Sequence, residues 1–123
     1  MSITLRGRQL GDRALRSLLT TVFVVAAGMK LAASEFETSN FARFGYAPWF
    51  MYAVGVAQLV GAVSLWIRGY VAYGALLLAV LMAGGAVSHL RAGDPLVMAV
   101  PALGLLALAC SLAFARRNEL RSR

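Results

Sequence analysis

Lysine, glutamine and histidine are costly guests in an apolar run of sequence, and this chain places one of each in such a run. Lys30 lies about one turn before the end of the first apolar stretch, Gln58 in the middle of the second and His89 at the end of the third. Gln58 stands roughly 15 Å along a helix from the start of its stretch at Pro48. Groups like these are stable at depth only when something satisfies them, so inside a membrane they default to functional positions. They supply an ammonium donor, a carboxamide that both donates and accepts, and an imidazole. Such a set can hydrogen-bond the oxygens of a small ligand, and Trp49 and Tyr52 are expected as walls beside it.

Helical spacing groups these residues with small neighbours. Met51, Gly55, Gln58 and Ala62 share one face; so do Met82, Gly85 and His89, and Phe23, Ala27, Lys30 and Ser34. Small residues let helices approach closely, so all three polar groups are expected to point into a bundle at one common level. Simpler roles stand beside this one. Lys30 can snorkel to headgroups, Gln58 can join helices by a hydrogen bond, and His89 can cap its helix and pair with Asp94.

Other chemistries lack their parts. One histidine cannot form a bis-histidine haem site, and no metal-ligand cluster is visible in the sequence. Cys110 is the single cysteine, so no thiol pair exists for disulfide exchange, and a small apolar filler role is expected for it. No Ser-His-Asp arrangement is assembled. No cofactor is expected to be held by a dedicated motif within the chain, and catalysis would need a borrowed cofactor or a second subunit.

The elements that must position these residues are four apolar runs, at residues 15–34, 48–67, 70–90 and 95–115. Each is close to the roughly 20 residues that cross a hydrocarbon core of about 30 Å. The 123 residues are 60% hydrophobic and 14% charged, with a mean hydropathy of +0.73. A soluble domain of this size has too little interior to bury so much apolar surface. The run 71–87 carries no charge on any face, unlike an amphipathic helix of a soluble bundle. The expected fold is therefore all-α: a polytopic four-transmembrane-helix bundle, with a short lead at 1–14, the membrane domain at 15–115 and a basic tail at 116–123. The segment 35–47, with Phe36, Phe41, Phe44 and Tyr46, reads as a loop at the interface or as a lid over a pocket. Asp94-Pro95 reads as the N-cap and first residue of the last helix. Pro101 should kink that helix.

Charge sets the expected orientation. Nine arginines lie before or at the very start of the first run, join the second to the third or follow the fourth; with Asp12 and Glu119 they give 9 − 2 = +7. The opposite side has Lys30, Arg43 and Arg91 against Glu35, Glu37 and Asp94, or 3 − 3 = 0. By the positive-inside rule both termini are cytoplasmic, in a multi-pass inner-membrane protein. The lipid bilayer accounts for the basicity. Nucleic acid is not an expected partner, because no aromatic-basic interleaving or extramembrane domain is present. The basic start, apolar run and Ala32-Ala33-Ser34 mimic a secretory signal, but Lys30 interrupts that pattern, and the segment reads as a first membrane helix.

These residues together resemble the DoxX-like family of small four-helix bacterial membrane proteins. The resemblance is carried by Gly28-Met29-Lys30-Leu31, by Phe44-Gly45-Tyr46-Ala47-Pro48-Trp49, by Gly55 through Gly61 around Gln58, by His89-Leu90, and by Asp94-Pro95 with Pro101. It implies a protein associated with redox systems, whose relatives include a subunit of a thiosulfate:quinone oxidoreductase and a partner of detoxifying enzymes in an oxidative-stress complex. The family often has glutamate where this chain has Gln58, which removes a titratable group. Three functions follow as expectations. The first is an accessory or anchoring subunit of a redox or respiratory assembly, partnered by other membrane subunits or by its own copies. The second is a quinone-binding oxidoreductase subunit, with Lys30 or His89 on a quinone oxygen between Trp49 and Tyr52. The third is a small transporter or lipid-binding protein.

Overall fold

The computed structural model describes residues 3–121, and Arg123 of the expected basic tail lies outside them. Every element among the described residues is a helix: α1 (Ile3–Leu31), α2 (Glu35–Phe44), α3 (Pro48–Ser64), α4 (Val71–Arg91), α5 (Leu96–Ala115) and the short α6 (Asn118–Arg121). Helices α1, α4 and α5 are each long and apolar enough to cross a membrane. Helix α3 has 17 residues, at the lower limit for a span, and meets α2 at a bend of 117°. Counted as one broken span, that pair is the fourth crossing.

Three boundaries differ from the sequence expectation. The lead at 1–14 is not separate, since α1 runs unbroken from Ile3 for 29 residues; no proline interrupts it, and its Arg, Gln and Leu residues are good helix formers. The expected loop at 35–47 is mostly helix α2. Ser34 caps it by accepting from the Glu37 amide at 3.4 Å, Glu35 and Glu37 sit at the positive end of its dipole, and Gly45 closes it at φ 84°. The pattern Ser34-x-x-Glu37 is a capping-box signature that marks this helix start in the sequence. Finally, Pro95 is itself the N-cap of α5, and the Asp94 carboxylate serves other partners. Pro101 lies inside α5 without ending it.

Around the bundle, α3 packs between α1 and α4, and α4 carries α5 along its length; α1 and α5 meet less extensively. The α3–α4 crossing is tight because Gly61 faces Gly74. A Cβ on Gly74 would lie 2.7 Å from the Gly61 carbonyl oxygen and 2.8 Å from Ser64 Cβ. The α1–α3 contact is close at Gly55, where a Cβ would lie 3.1 Å from Lys30 Cβ. Leu19 and Phe23 of α1, Leu65 at the end of α3, Leu78 of α4 and Leu112 of α5 form the buried core.

That core fills the half of the bundle nearer the termini, where polar ties hold the helix ends together. Asp12 accepts from Arg16 at 2.8 Å and from Arg116 at 2.8 and 3.1 Å, joining α1 to the end of α5. Arg16 donates to the Leu65 carbonyl at 3.2 Å and lies over the Trp66 ring, 4.4 Å from its centre. Glu119 of α6 accepts from the Ala72 amide at 2.8 Å, satisfying a free donor at the start of α4. The first turns of α1, the end of α5 and α6 therefore share one pole of the bundle, and α2 lies at the other.

Candidate functional site

At the α2 pole the helices separate around a cavity of about 680 Å³. Every one of the five longer helices contributes to its wall. Lys30 comes from α1, Glu37 and Phe41 from α2, Gln58 from α3, His89 from α4 and Pro101 from α5. The expectation that Lys30, Gln58 and His89 share one level is thus matched by their sharing one cavity. Trp49 and Tyr52 do not line it. They are 67% and 42% exposed on the outward face of α3, while Phe50 and Val54 occupy the stripe that leads to Gln58. A helix puts residues 50, 54 and 58 on one face and turns 49 and 52 away from it. Cys110 is exposed on α5 rather than packed as filler.

Lys30 does not reach for headgroups. Its ammonium donates to Glu37 Oε2 at 3.1 Å, and the two residues are 8% and 7% exposed. By sequence alone Glu37 counts as a charge outside the membrane. The helical turn that begins at Ser34 carries it inward onto Lys30. Two opposite charges at that separation neutralise each other, so the cavity wall gains a dipole rather than a net charge.

His89 is held by Asp94. Nδ1 lies 2.8 Å from Asp94 Oδ2, and the other carboxylate oxygen accepts from Arg43 of α2. A carboxylate accepts only, so Nδ1 carries the hydrogen and Nε2 is the ring nitrogen left for another partner. Hydrogen bonding from His89, then from Arg43, holds the Asp94 carboxyl below the usual carboxylate range; desolvation opposes this and is outweighed. This three-residue link also fastens α2 to the loop after α4.

Further ties fix the roof. Ser88 donates to the Gly84 carbonyl at 2.7 Å, and its oxygen lies 2.7 Å from Tyr46 Oη, so the tyrosine hydroxyl donates to the serine. Arg91 donates to the Phe44 carbonyl at 2.8 Å, and its guanidinium lies 5.1 Å from the Tyr46 ring centre. Phe41, Phe44, Tyr46 and Phe50 form an aromatic cluster with edge-on and tilted contacts; Tyr46 and Phe50 are 5.2 Å apart between centroids. The Phe44 ring meets His89 edge-on at 5.1 Å. The segment expected as interfacial loop or lid thus roofs the cavity with its aromatic face.

Gln58 is different from its neighbours. It is 2% exposed, and its Oε1 is the only buried side-chain polar atom among the described residues with no hydrogen-bond partner. An unpaired amide oxygen at such a depth costs about 1–3 kcal/mol. The cavity it borders is otherwise lined mainly by apolar and aromatic side chains. The site is therefore an apolar chamber with two internally satisfied polar pairs and one amide whose hydrogen-bonding capacity is unspent.

Comparison with known proteins follows the same line. The family model described as the DoxX-like family matches residues 14–112. The uncharacterized protein YdgD of Bacillus subtilis (strain 168) is 34% identical over 89 residues, which cover 67% of this chain and 77% of that relative. No solved structure gives a significant match.

Proposed function

The chain belongs to the DoxX-like family, and from that premise we propose that it is an accessory membrane subunit of a redox assembly whose cavity holds a quinone. The observation that carries this reading is the unpartnered Gln58 amide on the wall of an apolar cavity of about 680 Å³. That volume lies within the range of about 300–1,000 Å³ of small-molecule sites, and a few convergent polar groups on an apolar wall are their usual lining.

The residues fit a quinone on three counts. The aromatic roof of Phe41, Phe44 and Phe50 suits a flat ring. Gln58 Oε1 accepts from a hydroxyl, and the same amide turned over donates to a carbonyl, so it serves both the reduced and the oxidised ring. His89, oriented by Asp94, offers Nε2 as a second hydrogen-bonding position. A bound quinone would supply two-electron, two-proton redox chemistry. The chain's own residues bind the ring, orient it and keep water from its face. Gln58 cannot exchange a proton as the family's glutamate could, which favours a binding role over proton transfer at that position. The buried core beneath the cavity weighs against the transporter reading, because Leu19, Phe23 and Leu112 are packed between it and the terminal pole.

We read the terminal pole as cytoplasmic, in an inner membrane, because it carries the whole excess of arginine. The partners we propose are other membrane subunits of the assembly or further copies of this chain. The test of the quinone reading is titration of the purified protein, in lipid nanodiscs, with short-chain ubiquinone and menaquinone analogues. Saturable binding near one per chain is expected. Uptake equal to that of protein-free nanodiscs would overturn the reading.

A further inference from the structure

A second groove lies at the terminal pole, along the seam where α1 and α5 meet, with a volume of about 820 Å³. Its α1 wall is made of two adjoining helical stripes, residues 8, 12 and 15 and residues 9, 13 and 16; α5 and its cap contribute Leu112, Ala115 and Arg116. Four arginines (Arg8, Arg13, Arg16 and Arg116) line it against one carboxylate, Asp12, a net charge of +3.

The two inner arginines are committed. Arg16 and Arg116 both bind Asp12, at 2.8 Å each, and so build the groove's rigid end. Arg8 and Arg13 are exposed at its rim, and neither has an ion-pair partner among the described residues. A guanidinium fork matches two phosphate oxygens at once. Beneath the rim the floor is apolar, formed by Leu15, Leu112 and Ala115. From Arg8 to Leu31, α1 rises roughly 35 Å, slightly more than a hydrocarbon core of about 30 Å. Arg8 therefore stands at headgroup level, Arg13 lies about 7.5 Å deeper along the helix and reaches the headgroups by its long side chain, and the floor reaches the acyl region.

We propose that this groove is a specific site for an anionic phospholipid, whose phosphate bridges Arg8 and Arg13 and whose acyl chain lies along the α1–α5 seam. A free phosphate ion would use the rim and leave the apolar floor bare, which is why the lipid is the occupant. The site goes beyond the general attraction of basic residues to anionic membranes, because it assigns the effect to two of the pole's arginines and not to the rest.

The experiment is native mass spectrometry of the detergent-solubilised full chain, titrated with phosphatidylglycerol, with phosphatidylcholine and with inorganic phosphate. Phosphatidylglycerol should be retained at one per chain, about tenfold over phosphatidylcholine. The paired substitution Arg8→Gln, Arg13→Gln should abolish that preference. The paired substitution Arg68→Gln, Arg121→Gln removes the same charge from exposed positions outside the groove and should leave it intact. Equal retention of the two lipids, equal loss in both variants, or inorganic phosphate displacing phosphatidylglycerol at comparable concentration would each overturn the proposal.

Discussion

The polar side chains of the cavity divide into those that hold the protein together and one that does not. Lys30 and Glu37 are a buried pair, so removing either leaves the other charged and unpaired. Lys30→Ala is expected to lower stability by about 3–5 kcal/mol, and Lys30→Met with Glu37→Leu to recover most of it; thermal unfolding in detergent measures both. An undiminished midpoint for Lys30→Ala would show that the pair carries no such energy. Gln58→Leu should behave in the opposite way. It deletes an unsatisfied buried amide, so stability is expected to hold or rise by about 1 kcal/mol, while affinity for a quinone analogue falls roughly tenfold, the equivalent of one hydrogen bond. A variant that lost stability and kept affinity would make Gln58 structural glue. Lys30, Gln58 and His89 were legible in the sequence because polar groups stand out against apolar runs. Glu37 was not, since a carboxylate in a connecting segment looks solvent-exposed until the segment's path is known.

Helix α2 gathers the cavity's roof and its fastenings into one element. Its tie to Asp94 depends on protonation. The folded-state pKa of Asp94 is lowered by His89 and then by Arg43, so its contribution to stability is present above the unfolded value of about 3.9 and disappears as pH falls through the lower folded value. Amide exchange in α2 is expected to stay slow from neutral pH to about pH 4 and to quicken below it. Asp94→Asn should make exchange fast at pH 7 and flatten the acid dependence; unchanged exchange in that variant would show that α2 is held by other contacts. The α3–α4 crossing holds the bundle together beneath the cavity. Gly74→Ala pushes a methyl against backbone and is expected to cost about 1–3 kcal/mol, read as a lower unfolding midpoint. Gly84→Ala, on the same helix with open space around it, should be neutral or mildly stabilising. Equal effects would mean that the crossing can relax. The long helices were legible from run length alone. The helical state of α2 was signalled only by Ser34-x-x-Glu37 and Gly45, a pattern outweighed by aromatic and polar composition.

At the scale of the whole molecule, the two poles have opposite electrostatic designs. The terminal pole holds the excess of arginine, with Arg16 and Arg116 drawn onto Asp12 and the rim arginines unmatched. The α2 pole has no net charge, and its cations are used internally: Lys30 on Glu37, Arg43 on Asp94, Arg91 on the Phe44 carbonyl. The positive-inside rule is the ground on which we propose that the charged pole faces the cytoplasm. Reporter fusions at either terminus should therefore score as cytoplasmic, and a periplasmic signal from either one would reverse the assignment.

Composition and run length alone determined that this chain is a helical membrane bundle, because burying so much apolar surface within 123 residues has no soluble solution. Periodicity determined which face of α3 turns inward, as the buried stripe Met51, Gly55, Gln58 and Ala62 illustrates. Tertiary structure decided which partners those inward groups meet. Whether Lys30 finds lipid or Glu37, and whether Phe41 closes over the cavity, depends on the 117° turn between α2 and α3. That angle arises from the packing of one short helix across the ends of α1, α3 and α4, a long-range outcome that no local window of sequence contains.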